Sequence, residues 1–227
     1  MSGTRTPRPP SRGRIDKRQA ILDAAFTVFA QRGYARACME EIAEVAGVAK
    51  HTVYNHLADK QNVFRSAMEA AADDVMTKNL AVVAELSIDS GTHGASPTAA
   101  ADLSAPLEDM AHRLLLRCCD AQSRALRRLL HAEITQFPEL LEVAWARREC
   151  RLREALADRL ARLALSGRLR HCDPAEAAEQ FLALLTGPLE VRSHFGTRDV
   201  PEAEVRQVGR SAVRTFLRAY GASVPAP

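Results

Sequence analysis

Residues 38–60 read CMEEIAEVAGVAKHTVYNHLADK, and the reading of this stretch decides the fold. Ile42, Ala43, Val45 and Ala46 set an apolar stripe at helical spacing. Gly47 follows, the residue type that enters a left-handed turn without strain. Val48 is placed to pack beneath that turn, and the pattern predicts a second short helix from Lys50 to Leu57. That helix is too small and too polar to be a core element. A polar helix held by a packed one is the layout of a helix-turn-helix, whose second helix enters the major groove of DNA.

Within the stretch, Gly47, Val48, Lys50, Thr52, Tyr54 and His56 form the run G-V-x-K-x-T-x-Y-x-H, followed by Asp59 and Lys60. This run resembles the DNA-binding domain of TetR-type (tetracycline-repressor-like) regulators, and the resemblance extends over residues 14–74, with the helix-turn-helix motif at 37–56. It implies an all-α fold of about nine helices. An N-terminal three-helix domain would be followed by a larger helical ligand-binding and dimerisation domain at 75–227. Taken position by position, it implies phosphate contacts from Thr52, Tyr54 and Lys60, which set register but carry no sequence information. Lys50, His51 and Asn55 would face outward and reach base edges, where Asn suits adenine and Lys suits guanine. His56 would straddle phosphate contact and packing. The chain departs from the family pattern twice. Leu57 stands where Phe is usual, and Cys38 stands where Ser or Thr usually caps the helix and touches a phosphate. A thiol is a weaker cap than a hydroxyl.

Charge follows the same division. The net charge of +3 is modest, but residues 1–65 carry 11 Lys or Arg against 6 acids, and the remainder carries 20 against 22. A local excess of positive charge is what phosphate binding requires. Residues 1–13 belong to a basic arm, rich in Arg and Pro with no acid, which is expected to be disordered. Such an arm either drops arginines into an adjacent minor groove or merely solubilises the chain.

Helical periodicity continues along the sequence. A first helix is expected from Asp16, capped with Gln19, to Arg32, stopped by Gly33. Asp59 caps a long helix whose face is Val63, Phe64, Ala67, Met68, Ala71 and Val75. Residues 87–105 read as a loop. Helices are then expected from Pro106, over 121–136, and over 138–166. Asp173-Pro174-Ala175-Glu176 combines an N-cap, a first-position proline and a capping-box glutamate, and starts a helix to about Phe195. Pro201 opens the last helix, to Tyr220. "FPEL" at 137–140 and "DPAEAAEQFLALL" at 173–185 resemble the ligand-domain half of one TetR subgroup. No alternating β-branched run appears.

Other chemistry is absent from the sequence. There is no Walker loop, G-x-G-x-x-G, G-x-S-x-G or H-E-x-x-H, so no catalytic residue and no cofactor are expected. His112, Cys118, Cys119, His171 and Cys172 match no metal spacing, and Cys118 reads as a buried free thiol. Five cysteines without C-x-x-C fit reduced thiols in a cytoplasm. No run of ~18 apolar residues is present to span a membrane. Three residues of the second domain are pocket candidates: Cys118, Glu133 and Trp145. Glu133 falls within the arc of Leu126, Leu129, Leu130, Ile134 and Phe137, so it is expected either to pair with an arginine or to line a cavity. Trp145 reads as core or as a pocket wall.

Together these features point to a homodimeric, ligand-responsive repressor that binds a palindromic operator in double-stranded DNA and is released by a small-molecule effector. The last two helices are expected to form the dimer interface, with Val205, Val208, Gly209, Ala212, Phe216 and Tyr220 as the pairing face. Two alternatives remain at this level: a constitutive regulator of the same fold without effector, and a helical enzyme or binding module.

Overall fold

The computed structural model describes residues 12–86, 103–141, 147–194 and 196–222. They are helical throughout, with one isolated antiparallel bridge between Leu169 and Gly221. The chain divides into two compact units, Met1–Ala71 and Ala72–Pro227.

The first unit contains α1 (Arg12–Arg36), α2 (Met39–Val45), α3 (Lys50–Leu57) and the opening turns of α4 (Lys60–Ala84). Gly33, at φ 75° and ψ 165°, breaks α1 near its end, as the sequence leads one to expect. The capping box at Asp16 does not form. The helix already runs from Arg12, and Gln19 donates to Asp23 Oδ1 at 2.9 Å, one turn ahead. The Glu41 carboxylate pairs with Arg32 Nε at 3.0 Å and so ties α2 to α1. Beyond the break, Tyr34 turns into the core. Phe29, Tyr34 and Phe64 form an edge-to-face group, with Phe64 4.9 Å from Phe29 and 5.0 Å from Tyr34 between centroids. Ile21, Phe29, Ile42, Val53 and Phe64 are fully buried around them. Burial of each such side chain contributes about 1.5–3 kcal/mol.

The second unit contains the rest of α4, then α5 (Ser104–Cys119), α6 (Ala121–Glu133), α7 (Glu139–Leu141), α8 (Arg147–Leu165), α9 (Pro174–Arg192) and α10 (Glu202–Tyr220). Helix α5 starts two residues before Pro106. The expected single helix over 138–166 is described only as α7 and α8; Trp145 lies outside the described residues, as do 87–102 of the expected loop. Asp173 caps α9, accepting from the amides of Ala175 and Glu176. That helix runs through Pro188 and ends at Arg192 rather than Phe195.

The face of α10 requires a correction. Val205, Val208, Gly209, Ala212, Phe216 and Tyr220 are all buried inside the protomer. They pack on α5, with a Cβ built on Gly209 falling 3.6 Å from Ala111 Cβ, and on α9, where Phe181 meets Phe216 at 5.0 Å. Tyr220 donates its hydroxyl to Gln180 Oε1 at 2.7 Å. These residues are therefore not free to pair two subunits. An amphipathic pattern states that a face is buried, but not against which chain. Glu133 also differs from its expected position in mid-arc. It is the last residue of α6 and only half-buried, so solvent reaches it.

Candidate nucleic-acid interface and interior cavity

Helix α3 is fixed to its unit by two side chains. Val53 and Leu57 are buried, at 0% and 6% exposure, while Lys50, His51, Tyr54 and Asn55 are exposed and Thr52 and His56 are half-buried. The turn that carries it closes as expected. Gly47 takes φ 64°, its amide donates to the Glu44 carbonyl at 3.0 Å, and the Val48 amide donates to the Ala43 carbonyl at 3.0 Å. The helix thus presents one polar ridge to solvent on a rigid base.

Electrostatic contacts hold this ridge ready. Lys50 Nζ pairs with Glu40 in the first turn of α2 and lies 5.8 Å from the Tyr54 ring centroid. The hydrogen bond from Lys50, helped by the backbone and the Cys38 thiol, holds the Glu40 carboxyl below its usual range. The same bond raises the Lys50 ammonium above its own. Lys60 Nζ donates to the Ala35 carbonyl at 3.1 Å and sits 4.7 Å from the Tyr34 centroid. It closes the C-terminal end of α1, an arrangement favoured by the helix dipole, and it lies over a negative ring face. Cys38 is the N-cap of α2, exposed and making no side-chain cap bond. At α4 the cap is Asp59, which accepts from the Asn62 amide at 2.8 Å.

The second unit contains a half-open cavity of about 280 Å³ among α4, α5, α6, α8 and α9. Val75, Met76, Leu126, Leu130, Leu182 and Leu189 supply its apolar wall. Asn79, Ser123, Arg127, Thr186 and Glu190 supply its polar points, and Cys118 also lines it. Cys118 is half-buried rather than buried; desolvation still pushes its thiol up to about 11, although the neighbouring Arg127 pulls it down. Glu133 is not among the lining residues. These polar points did not emerge from the sequence, although Asn79 offered a signal: it interrupts the apolar stripe of Ala72, Val75, Met76, Val82 and Val83 on α4. No group of three or more metal-ligating side chains occurs among the described residues, and no described helix is long and apolar enough to cross a membrane.

Comparison with known proteins fixes the family. Residues 21–67 match the model described as "Bacterial regulatory proteins, tetR family", and residues 105–222 match "AefR-like transcriptional repressor, C-terminal domain". The chain is a TetR-family transcriptional regulator. Among curated relatives of this regulator, the transcriptional repressor AcnR of Corynebacterium efficiens is 25% identical over 88% of this chain and 94% of its own. The transcriptional activator FasR of Mycolicibacterium smegmatis is 36% identical over 33% of this chain. The matches to FasR and to the repressor KstR2 of Rhodococcus jostii span only 32% and 40% of those proteins' lengths. Among solved structures, a TetR-family regulator from Mesorhizobium loti has a TM-score of 0.79 at 28% identity, covering 93% of this chain and 100% of its own. The flavonoid-responsive regulator FrrA has a TM-score of 0.66 at 26% identity, covering 92% and 99%. These matches bear out the all-helical fold with an N-terminal helix-turn-helix domain and a C-terminal helical domain.

Proposed function

We propose that this regulator binds a palindromic DNA operator as a homodimer, represses from it, and is released by a small-molecule effector. The observation that carries the reading is the division of α3 into two buried anchors and an exposed ridge of Lys50, His51, Tyr54 and Asn55. A core helix has no reason to expose that ridge; a recognition helix must. In this reading Lys50, His51 and Asn55 address base edges, Thr52, Tyr54 and Lys60 address phosphates, and Cys38 and His56 flank them. Lys50 exchanges Glu40 for DNA, an exposed ion pair of small net worth, and Lys60 exchanges its hydrogen bond to the Ala35 carbonyl for a phosphate.

Pairing through α9 and α10 would use faces other than the buried one. On α9, Ala183, Gly187 and Val191 lie at i, i+4 spacing and are exposed in the protomer. Such a strip permits close helix approach in an isologous interface. Two recognition helices then read two half-sites about one DNA turn apart. The cavity supports the ligand-responsive reading over a constitutive one, because a regulator without effector has no use for an apolar hollow with convergent polar groups. A ligand with higher affinity for the DNA-free conformation shifts the population toward it.

Selection of genomic fragments on the purified protein tests the reading. Enrichment of one palindromic sequence is expected. Enrichment without symmetry would refute the paired readout, and binding indifferent to sequence would refute the operator.

A further inference from the structure

The last turn of α1 holds two cations. Arg36 Nε donates to the Arg32 carbonyl at 3.1 Å, and Lys60 Nζ donates to the Ala35 carbonyl at the same distance. Each cation uses one donor in this way and keeps others for a second partner. The helix end does not balance their charge. A complete helix C-terminus carries about half a negative charge, against two full positive charges here. Nor do the nearby acids. Glu41 pairs with Arg32, Glu40 pairs with Lys50, and the Asp59 carboxylate accepts from the Asn62 amide and side chain. Among the described residues no carboxylate pairs with Arg36, whose two Nη atoms stand in solvent.

Its place in the unit gives this excess charge a use. Burial alternates along residues 36–40. Ala37 and Met39 are 3% and 5% exposed, whereas Arg36, Cys38 and Glu40 face solvent. Cys38 is extended, at φ −125° and ψ 157°, and alternate side chains of extended backbone share a side. Arg36 therefore stands in one outward row with the α2 cap, and Glu40 carries that row on to Lys50 at the start of α3. A free surface arginine ordinarily serves only solubility. This one has its Nε fixed to the backbone and its Nη pair turned outward beside a second cation. A guanidinium held that way is preset for two parallel bonds to a phosphate.

Building on the DNA-binding reading above, we propose that Arg36 is a further backbone contact of this regulator, gripping a DNA phosphate beside the one assigned to Lys60. The Nε bond to the Arg32 carbonyl persists and aims the fork. Such a contact adds affinity on every sequence and fixes register, without reading bases.

The test is binding of the full chain to a short duplex of random sequence over a salt series, which needs no knowledge of the operator. Arg36→Ala is expected to lower the slope of log affinity against log salt by about 0.9, a loss of about eightfold at 0.1 M salt relative to 1 M. Arg36→Gln, which can still bond the Arg32 carbonyl but carries no charge, should behave alike and supplies the comparison if Arg36→Ala does not fold. Arg36→Lys should restore the slope, with affinity still below the parent because an ammonium lacks the fork. A selected operator should lose the same factor as the random duplex. The proposal is overturned if the slope is unchanged in the uncharged variants, if lysine does not restore it, or if the loss is confined to one sequence. A parent that binds with a normal slope untouched by these substitutions overturns this contact alone. A parent that binds no duplex overturns the DNA-binding reading with it.

Discussion

Gly209 of α10 faces Ala111 of α5 so closely that a methyl group on the glycine would lie 3.6 Å from the alanine's Cβ. That distance is ordinary van der Waals contact, and the Leu115 Cδ1 distance is the same. Gly209→Ala therefore adds contact without overlap and removes a helix-interior glycine, worth about 0.5–1 kcal/mol. The expected result is a melting temperature raised by about 2–4 °C, with dimer dissociation unchanged by sedimentation. Weakened dimerisation would return this face to the subunit interface.

Lys60 holds the end of α1 and, in the proposed function, also a phosphate. Lys60→Ala is expected to weaken binding to all DNA sequences about equally and to lower the salt slope by roughly one. It should also cost a little stability, because the Ala35 carbonyl and the Tyr34 ring lose their cation. Binding measured over a salt series separates the two effects. An unchanged slope with altered sequence preference would show that Lys60 reads bases instead.

His51 and Asn55 stand exposed on the ridge of α3 with no structural duty of their own. Replacing either by alanine should leave the melting temperature unchanged within error and relax preference at one position per half-site, at about 1–3 kcal/mol for a good contact. A full binding-site selection profile untouched by both changes would place base reading elsewhere.

Much of this arrangement was legible in the sequence, for local reasons. The limits of α3, the Gly47 turn, the Gly33 break and the Asp173-Pro174 start of α9 depend on residues within a few positions of one another, where cap and turn chemistry operate. What was not legible depends on distant partners. Asp16 carries a cap signal, but the chain before it also takes helical form. The face of α10 announces burial without naming α5. The Lys60 contact with Tyr34 and Ala35 joins residues about 25 apart. Asn79 and Ser123 come to line one cavity only when α4 and α6 come together, whereas Glu133, more conspicuous on a helical wheel, lies at a helix end.

Ala58, between α3 and α4, has φ 58° and ψ −60°, with the Asp59 amide donating to the Leu57 carbonyl at 2.7 Å. A side chain in that region costs roughly 1–2 kcal/mol relative to glycine. Ala58→Gly should relieve the strain and, after the added freedom of the unfolded chain is subtracted, stabilise the first unit by about 1 kcal/mol. Denaturant unfolding followed in that unit checks this. A loss of stability would mean that the Ala58 methyl group makes contacts worth more than the strain.

Cys38 and Cys118 are expected to separate cleanly in their chemistry. Cys38 is exposed at the α2 cap, while burial raises the Cys118 thiol to about 11 from an ordinary 9.0. A thiol reacts as its thiolate, so at pH 7.5 iodoacetamide should modify Cys38 readily and the half-buried Cys118 far more slowly. The sign of the linkage follows. The folded state holds the Cys118 proton more tightly than the unfolded state, so this group leaves stability untouched below about pH 9 and lowers it as pH rises toward 11. Cys118→Ala should lack that part of the alkaline loss, although it opens a small cavity and is less stable at neutral pH. Peptide mapping of alkylated protein and melting curves from pH 7 to 11 provide the measurements. Rapid labelling of Cys118 in the folded protein at pH 7.5 would show that its thiol ionises far more easily than its desolvation allows.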